Sequence, residues 1–254
     1  MNAKARRLVV VVSAILAVGI WLIVNPASYD AIFIQAENTD AENGANNVGD
    51  SGTSIGESSI NVEGSEDARL ASDILEKIEV KGRAPKTGYK RDEFYGGWPT
   101  VDGCNLRQRI IKREFGETAV LDGCNVIAGK FEEPYTGKYL KFSSREEISK
   151  GIQIDHVVAL SDAWQKGAQY MERDVREKIA TDPLNLLAVD GQANQKKSDG
   201  DAATWLPSNK KFRCQYVARQ VSVKYKYKLW VTEAEKEAIK QVLTNCPNEP
   251  AVGV

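Results

Sequence analysis

Residues 151–199 read GIQIDHVVALSDAWQKGAQYMERDVREKIATDPLNLLAVDGQANQKKSD, and this stretch decides the fold. Its first ten residues alternate in polarity and are rich in β-branched side chains, which predicts a strand. Residues 185–189 form a short apolar run, which predicts a returning strand. Residues 193–205 are polar and end before a proline, which predicts a helix. Two strands followed by a helix predict an α+β core, and a further helix is predicted over residues 163–180.

His156 is the only histidine of the chain, and it directly follows Asp155 near the end of the predicted strand. An imidazole beside a carboxylate is suited to act as a general base next to a metal ligand. An isolated Asp-His pair is more often a structural histidine that is hydrogen-bonded in the core. Here the pair is followed by Asn185 on the second strand and by Asn194 on the helix, which favours a catalytic site.

Each of these residues has a specific chemical part to play. A hard cation such as Mg²⁺ prefers oxygen ligands, and Asp155 and Asn194 can supply a carboxylate and an amide oxygen. His156 can take a proton from an attacking water, and Asn185 can fix the imidazole through its loop. Lys197 can contact a phosphate oxygen. The sequence therefore predicts His156 and Asn185 as catalytic residues, with Mg²⁺ (or Mn²⁺) as the cofactor.

The segments IDHVVALSDAW and DPLNLLAVDGQANQKKSDGDAATWLP resemble the HNH nuclease superfamily, whose core is the ββα-metal fold. They are most similar to the branch of the C-terminal domain of GmrSD-type restriction enzymes and of small exported actinobacterial proteins. GYKRDEFYGGW, DGCNLRQRI, GCNVIAGKFEEPYTG and RCQYVARQVSVKYKYKL extend the resemblance over residues 70–246. It implies an HNH core within additional helices, with a mostly helical periphery.

The resemblance also implies roles for single residues. Asp155 and Asn194 correspond to the metal ligands, His156 to the general base and Asn185 to the orienting residue. Many members have a proline three residues after the histidine, where this chain has Ala159. The final histidine of the family name is replaced by Asn194, a variant that the HNH domains of CRISPR effectors share.

The N-terminus predicts export. Three basic residues precede the uncharged apolar run 8–24, which is the pattern of a signal anchor or signal peptide over residues 1–27. Asn25-Pro26 interrupts a cleavage site, which favours an uncleaved membrane anchor over secretion after cleavage. Residues 28–67 are acidic and nearly devoid of apolar side chains, which predicts a disordered tether. The nuclease domain is then expected over residues 68–247, with a short tail at 248–254.

Four cysteines in an exported chain predict disulfide bonds. Three pairings are formally open. Cys104–Cys124 and Cys214–Cys246 are favoured because each pair flanks one compact segment. No CxxC motif is present, which argues against a zinc ribbon.

The charge distribution allows a polyanionic partner. The net charge is -1, but nine acidic and four basic residues precede residue 71, which leaves 30 basic and 26 acidic residues after it. Residues 209–228 contain seven basic and no acidic side chains, with aromatic residues between them. This basic strip suits a phosphate backbone with stacked bases, and a solvated helix face explains it equally well. Lys224, Lys226 and Lys228 are its candidate substrate-binding residues.

Two functions from different classes fit the sequence. The first is an extracytoplasmic, metal-dependent HNH endonuclease that cleaves nucleic acid, DNA rather than RNA, with little sequence preference. The second is a catalytically inactive anchored module that binds nucleic acid or a surface polymer on an HNH scaffold. The intact set of Asp155, His156, Asn185 and Asn194 favours the enzyme. The expected partners are nucleic acid and, through residues 8–24, a membrane.

Overall fold

The computed structural model describes residues 69–253. The anchor predicted at residues 8–24 and the tether predicted at 28–67 lie outside this range. Within it, no helix is both long and apolar enough to cross a membrane.

Helices and short sheets are both present, so the predicted α+β class is confirmed. The strands form a two-stranded, a three-stranded and a second two-stranded sheet, each antiparallel. The helices are α1 Ala71–Glu76, α2 Leu106–Phe115, α3 Arg145–Gly151, α4 Leu160–Gln165, α5 Arg173–Thr181, α6 Gly191–Lys197, α7 Arg213–Lys226 and α8 Glu233–Leu243. The strands are β1 Thr100–Val101, β2 Cys104–Asn105, β3 Val120–Asp122, β4 Asn125–Glu132, β5 Tyr139–Phe142, β6 Ile152–His156 and β7 Leu186–Asp190.

The centre of the fold is the β6–β7 hairpin with α6 packed on it. Strand β6 is shorter than the predicted ten residues, because the Val157 N–H donates to the Asn185 carbonyl and the Val158 N–H to the Asn185 side chain. Helix α6 begins at Asp190, whose carboxylate accepts from the Ala193 N–H at 2.8 Å. The predicted order of strand, strand and helix is therefore present.

Two predicted helices differ from the structure. The helix expected over residues 193–205 ends at Lys197, because Ser198 adopts a φ of 52° and the following backbone turns around the Asp201 carboxylate. The helix expected over 163–180 is broken between α4 and α5. Gly167 has a φ of 123° there, and a Cβ at this position would lie 3.2 Å from the Trp230 ring. Tight packing thus breaks a sequence that has helical propensity.

Residues 120–142 form the three-stranded sheet β3–β4–β5 at the periphery of the domain. This sheet packs against α2 through stacked rings of Phe115 and Phe131, whose centroids are 4.8 Å apart. Gly129 permits the close approach, because a Cβ there would lie 2.4 Å from the Phe115 ring. The predicted α+β domain with many helices around its core thus also contains a small sheet on this side.

Two disulfides link segments of the domain, and residues near its two ends contact each other. Both predicted disulfides are confirmed: Cys104 is bonded to Cys124, and Cys214 to Cys246. The C-terminal residues are not a separate tail, because Pro250 bridges to Leu70 in antiparallel fashion. The Val252 N–H also donates to the Ser222 hydroxyl at 2.8 Å. Residues 250 and 252, beyond the predicted boundary at 247, therefore contact the domain.

Candidate active site

The alternation of β6 places neighbouring side chains on opposite sides of the hairpin. Gln153 and Asp155 face α6, where they contact Asn194 and Lys197. His156 faces the other way, where its ring packs against Tyr95 and Trp98. Strand β6 thus places the Asp155 carboxylate against α6 and the His156 imidazole against Tyr95 and Trp98. Both residues still line one cavity of about 260 Å³.

Asp155 is 5% exposed and bonded through both oxygens. Its Oδ1 accepts from the Lys197 ammonium at 3.0 Å, and its Oδ2 accepts from the Tyr135 hydroxyl. Burial raises the pKa of Asp155, and the Lys197 charge and the Tyr135 hydrogen bond oppose this rise. Tyr135 is itself held by Glu133, which accepts from the backbone N–H groups of Tyr135 and Asp190. The Asp155 carboxylate therefore has a fixed orientation.

His156 is 4% exposed, and its Nε2 lies 2.9 Å from the Ala180 carbonyl oxygen. A carbonyl only accepts, so Nε2 carries the hydrogen and Nδ1 is the basic nitrogen of the neutral ring. Burial, with a further contribution from the Arg91 charge, lowers the pKa of His156 to about 3. The imidazole is therefore neutral at physiological pH, with its lone pair on Nδ1.

Two aromatic rings fix the plane of this imidazole. Trp98 stacks on it, with ring centroids 6.0 Å apart and an interplanar angle of 10°. Tyr95 meets it edge-on at 5.9 Å. Together with the hydrogen bond to Ala180, these contacts leave the ring little freedom to rotate.

Asn185 ties down the loop that follows His156. Its Oδ1 accepts from the Val158 N–H at 2.8 Å, and its Nδ2 donates to the carbonyls of Ile179 and Val158 at 3.0 and 3.3 Å. Ile179 directly precedes Ala180, the residue that accepts from the His156 ring. A single buried amide therefore connects the two segments that hold the imidazole, which is the geometry expected of an orienting residue.

Asn194 lies on α6 and faces the same cavity as Asp155. Its Nδ2 donates to the Gln153 side-chain oxygen at 2.9 Å, so Oδ1 is the end of the amide that can serve as a ligand. A carboxylate has about four lone-pair positions, and the two hydrogen bonds to Asp155 use only part of them. Two hard oxygen donors beside a water-accessible cavity fit a Mg²⁺ that keeps several of its waters.

Another group of metal-ligating residue types lies elsewhere, at Cys214, Cys246 and Glu249. Its two sulfurs are bonded to each other, so neither can act as a thiolate ligand. This group is therefore a disulfide with a nearby carboxylate.

The contacts of Lys197 and Lys224 differ from the phosphate-binding roles that the sequence predicted. The Lys197 ammonium is buried and donates to Asp155 and to the His156 carbonyl, so it supports the site from inside and does not face a phosphate. Lys224 has no exposed surface and ion-pairs with Asp162 and Glu235 at 3.0 Å each. Its assignment to a substrate-binding strip is wrong, because it neutralises buried carboxylates.

The other two lysines of the basic strip are exposed but lie away from the cavity. Lys226 pairs with Asp182 at 2.7 Å, and Lys228 follows the end of α7 with a φ of 51°. Neither residue lines the cavity that contains Asp155 and His156. The structure therefore does not place the basic strip at the candidate active site.

The sequence interpretation did not identify the residues that complete the site. Tyr135 bonds to Asp155, Tyr95 and Trp98 enclose His156, and Arg91 lines the cavity. Three of these lie between residues 89 and 98, a segment with two basic and four aromatic side chains. The cations and aromatic residues of this segment were visible in the sequence, but no local pattern showed that the segment folds against β6.

Comparison with known proteins found similar sequences. The model of the family described as GmrSD restriction endonucleases, C-terminal domain, matches residues 106–242. An uncharacterized secreted protein of Arthroderma benhamiae (strain ATCC MYA-4681 / CBS 112371) is 34% identical over 182 residues, which cover 70% of this chain and 86% of that protein. No solved structure matches the chain. The chain therefore belongs to the family of the C-terminal domain of GmrSD restriction endonucleases.

Proposed function

We propose that this protein is an extracytoplasmic, metal-dependent endonuclease that hydrolyses phosphodiester bonds of nucleic acid, DNA in preference to RNA, with little sequence specificity. The observation that carries the proposal is the meeting of Asp155 and His156 of β6 with Asn194 of α6 at one cavity, within a strand–strand–helix unit in the HNH order. Membership of a restriction-endonuclease family supports the same reaction class.

The reaction is the attack of water on a phosphodiester phosphorus. His156 Nδ1 takes a proton from the attacking water while the new P–O bond forms, and the bond to the leaving sugar oxygen breaks. Asn185 and the Trp98 ring keep Nδ1 in position for this proton. A divalent cation held by Asp155 and Asn194, Mg²⁺ with Mn²⁺ as an alternative, would stabilise negative charge on the phosphate and the leaving oxygen.

Three observations support a location outside the cytoplasm. The domain has two disulfides, which persist in oxidising compartments. Its relative from Arthroderma benhamiae is described as secreted. The apolar run 8–24 follows basic residues, and we propose that it serves as a membrane anchor or as a cleaved signal. Extraction of washed membranes with carbonate, followed by immunoblotting, separates an anchored from a released protein.

Cleavage assays test the function directly. The purified protein is incubated with plasmid, single-stranded DNA and RNA, with Mg²⁺, with Mn²⁺ or with EDTA. We expect cleavage only with metal, and we expect His156→Ala to lower the rate by about 10²–10⁴-fold, the usual contribution of a general base. Asn194→Ala should regain part of its lost rate at higher Mg²⁺, whereas His156→Ala should not.

Circular dichroism is the control for folding, and activity is compared per folded molecule. If His156→Ala retains a rate within a few-fold of the wild type, His156 is a structural histidine and the proposed mechanism is wrong. Binding of nucleic acid without cleavage in any metal would point to the inactive binding module.

A further inference from the structure

Arg91 is a cation at the mouth of the candidate active site. It begins a short 3₁₀ helix, Arg91–Glu93, and lines the cavity together with Asp155, His156 and Asn194. Its Nη2 donates to the Tyr95 hydroxyl at 2.9 Å, and its guanidinium lies 5.5 Å from the centre of the Tyr95 ring. Because that ring also contacts His156, Arg91 is positioned relative to the imidazole through a single side chain.

Three preceding cations of the same segment are already paired with carboxylates. Lys81 pairs with Glu79, Arg83 with Asp162 and Asp201, and Lys86 with Asp199. Over residues 69–253, by contrast, no carboxylate forms an ion pair with Arg91, although its side chain is exposed. The Arg91 guanidinium therefore hydrogen-bonds to the Tyr95 hydroxyl and to no carboxylate of the described residues.

The position and chemistry of this group suit a phosphate. A guanidinium presents its donors in a planar fork that matches two oxygens of a phosphate group. Arg91 lines the same cavity as Asp155 and His156, which places it close to where water and phosphodiester must meet. A carboxylate bound to Arg91 would compete with a phosphate. Because no carboxylate of the described residues pairs with Arg91, its guanidinium is available to the substrate.

We propose that Arg91 is the phosphate-contact residue of this site, where it donates hydrogen bonds to non-bridging oxygens of the phosphodiester that lies beside His156 Nδ1. This inference rests on the proposed nuclease function and adds the group that fixes the position of the substrate. Tyr95 then has two roles: it holds the guanidinium through its hydroxyl and ring, and it packs on the imidazole.

The experiment measures binding separately from cleavage. The full-length chain with His156→Ala is titrated with a fluorescein-labelled single-stranded DNA of about 16 nucleotides, a length that matches the larger site sizes of single-strand-binding proteins. Into this background we introduce Arg91→Ala, Arg91→Lys or Lys90→Ala. Lys90 is the matched control, because it is an exposed cation one residue away that does not line the cavity.

We expect Arg91→Ala to weaken binding about 10- to 100-fold, the usual range for a hydrogen bond to a charged group. The slope of log Kd against log salt concentration should fall by about one. Lys90→Ala should change Kd less than about threefold, and Arg91→Lys should fall between the two, because lysine keeps the charge and loses the fork.

Cleavage by the wild-type protein is measured in parallel, so that the two proposals can fail separately. If the wild type cleaves but Arg91→Ala binds as Lys90→Ala does, the inference about Arg91 is wrong and the nuclease function stands. If the wild type neither cleaves nor binds any of the nucleic acids, the proposed function is wrong, and the role of Arg91 falls with it.

Discussion

At the scale of the residue, the site depends on how His156 is held. Its ring has a hydrogen bond on one nitrogen and an aromatic ring on each of two sides. The Asn185 side chain makes three hydrogen bonds that hold the loop behind it. A change at Asn185 therefore tests positioning without touching the base or the metal ligands.

Asn185→Asp should lower the cleavage rate while leaving its dependence on Mg²⁺ concentration unchanged. The variant keeps the acceptor for the Val158 N–H but leaves the carbonyls of Ile179 and Val158 without their donor. Buried groups without partners cost about 1–3 kcal/mol each, so the free energy of unfolding should also fall by about 2 kcal/mol or more. Single-turnover rates at several Mg²⁺ concentrations, scaled to the folded fraction, provide the measurement.

Asn194→Ala is the comparison for this variant, since it should shift the Mg²⁺ dependence. A shift of the same size in Asn185→Asp would show that Asn185 acts on the metal site and not on the loop.

The four central residues could be identified from the sequence because they lie on consecutive elements of one hairpin and helix. Asp155 and His156 end the first strand, and Asn185 and Asn194 flank the second. Arg91 and Tyr135 could not be placed this way. They reach the site through contacts between segments far apart in the chain, which no local periodicity encodes.

At the scale of the element, a buried ionic network holds three helices together. Lys166, at the end of α4, pairs with Asp162, Asp201 and Glu235, and Lys224 of α7 pairs with Asp162 and Glu235. Glu235 belongs to α8, whose N-cap is Thr232. The Thr232 hydroxyl does accept from the Glu235 N–H, while the Glu235 carboxylate contributes to the network instead of the cap.

Lys224→Ala and Lys226→Ala should differ sharply in their effect on stability, although the two lysines lie two residues apart on α7. Removal of Lys224 leaves two buried carboxylates undercompensated, which should lower the free energy of unfolding by about 3–5 kcal/mol. Lys226 is half-exposed in its pair with Asp182, and its loss should cost about 0–1 kcal/mol. Urea unfolding of the two variants measures the difference, and equal losses would contradict the burial of Lys224.

The elements near the site were easier to predict than those around it. Strands β6 and β7 are buried and rich in Ile, Leu and Val, so their apolar pattern is strong. Strands β3 and β5 are short and mostly exposed, which leaves little pattern to detect. The break before α5 depends on the contact of Gly167 with Trp230, which is more than 60 residues away in the sequence.

At the scale of the whole molecule, the buried ionic network around Lys166 makes the free energy of unfolding depend on pH in the acidic range. Burial alone would raise the pKa of Asp201, but Lys166 and Arg83 outweigh it and lower that pKa to about 2. A carboxyl group whose pKa is lowered by folding stabilises the fold above its ordinary pKa, 3.8 for Asp. This contribution is lost as the pH falls from about 4 towards 2.

Asp201→Asn should therefore be less stable than the wild type at pH 6, and the difference should shrink as the pH falls through this window. The free energy of unfolding of both proteins is measured in urea between pH 6 and about 2.5. Asp174→Asn is the control, because Asp174 lies on the surface in a pair with Lys178 and should show little difference at any pH. A difference for Asp201→Asn that stays constant with pH would contradict the role of its charge.

The antiparallel bridge between Leu70 and Pro250 has a consequence for the architecture of the whole chain. The Ala71 N–H donates to the Glu249 carbonyl and the Ala251 N–H to the Arg69 carbonyl, so the domain begins and ends at the same place on its surface. Domains with adjacent ends tolerate insertion and circular permutation. This fold can therefore be inserted as a cassette into a loop of another protein, with both junctions side by side.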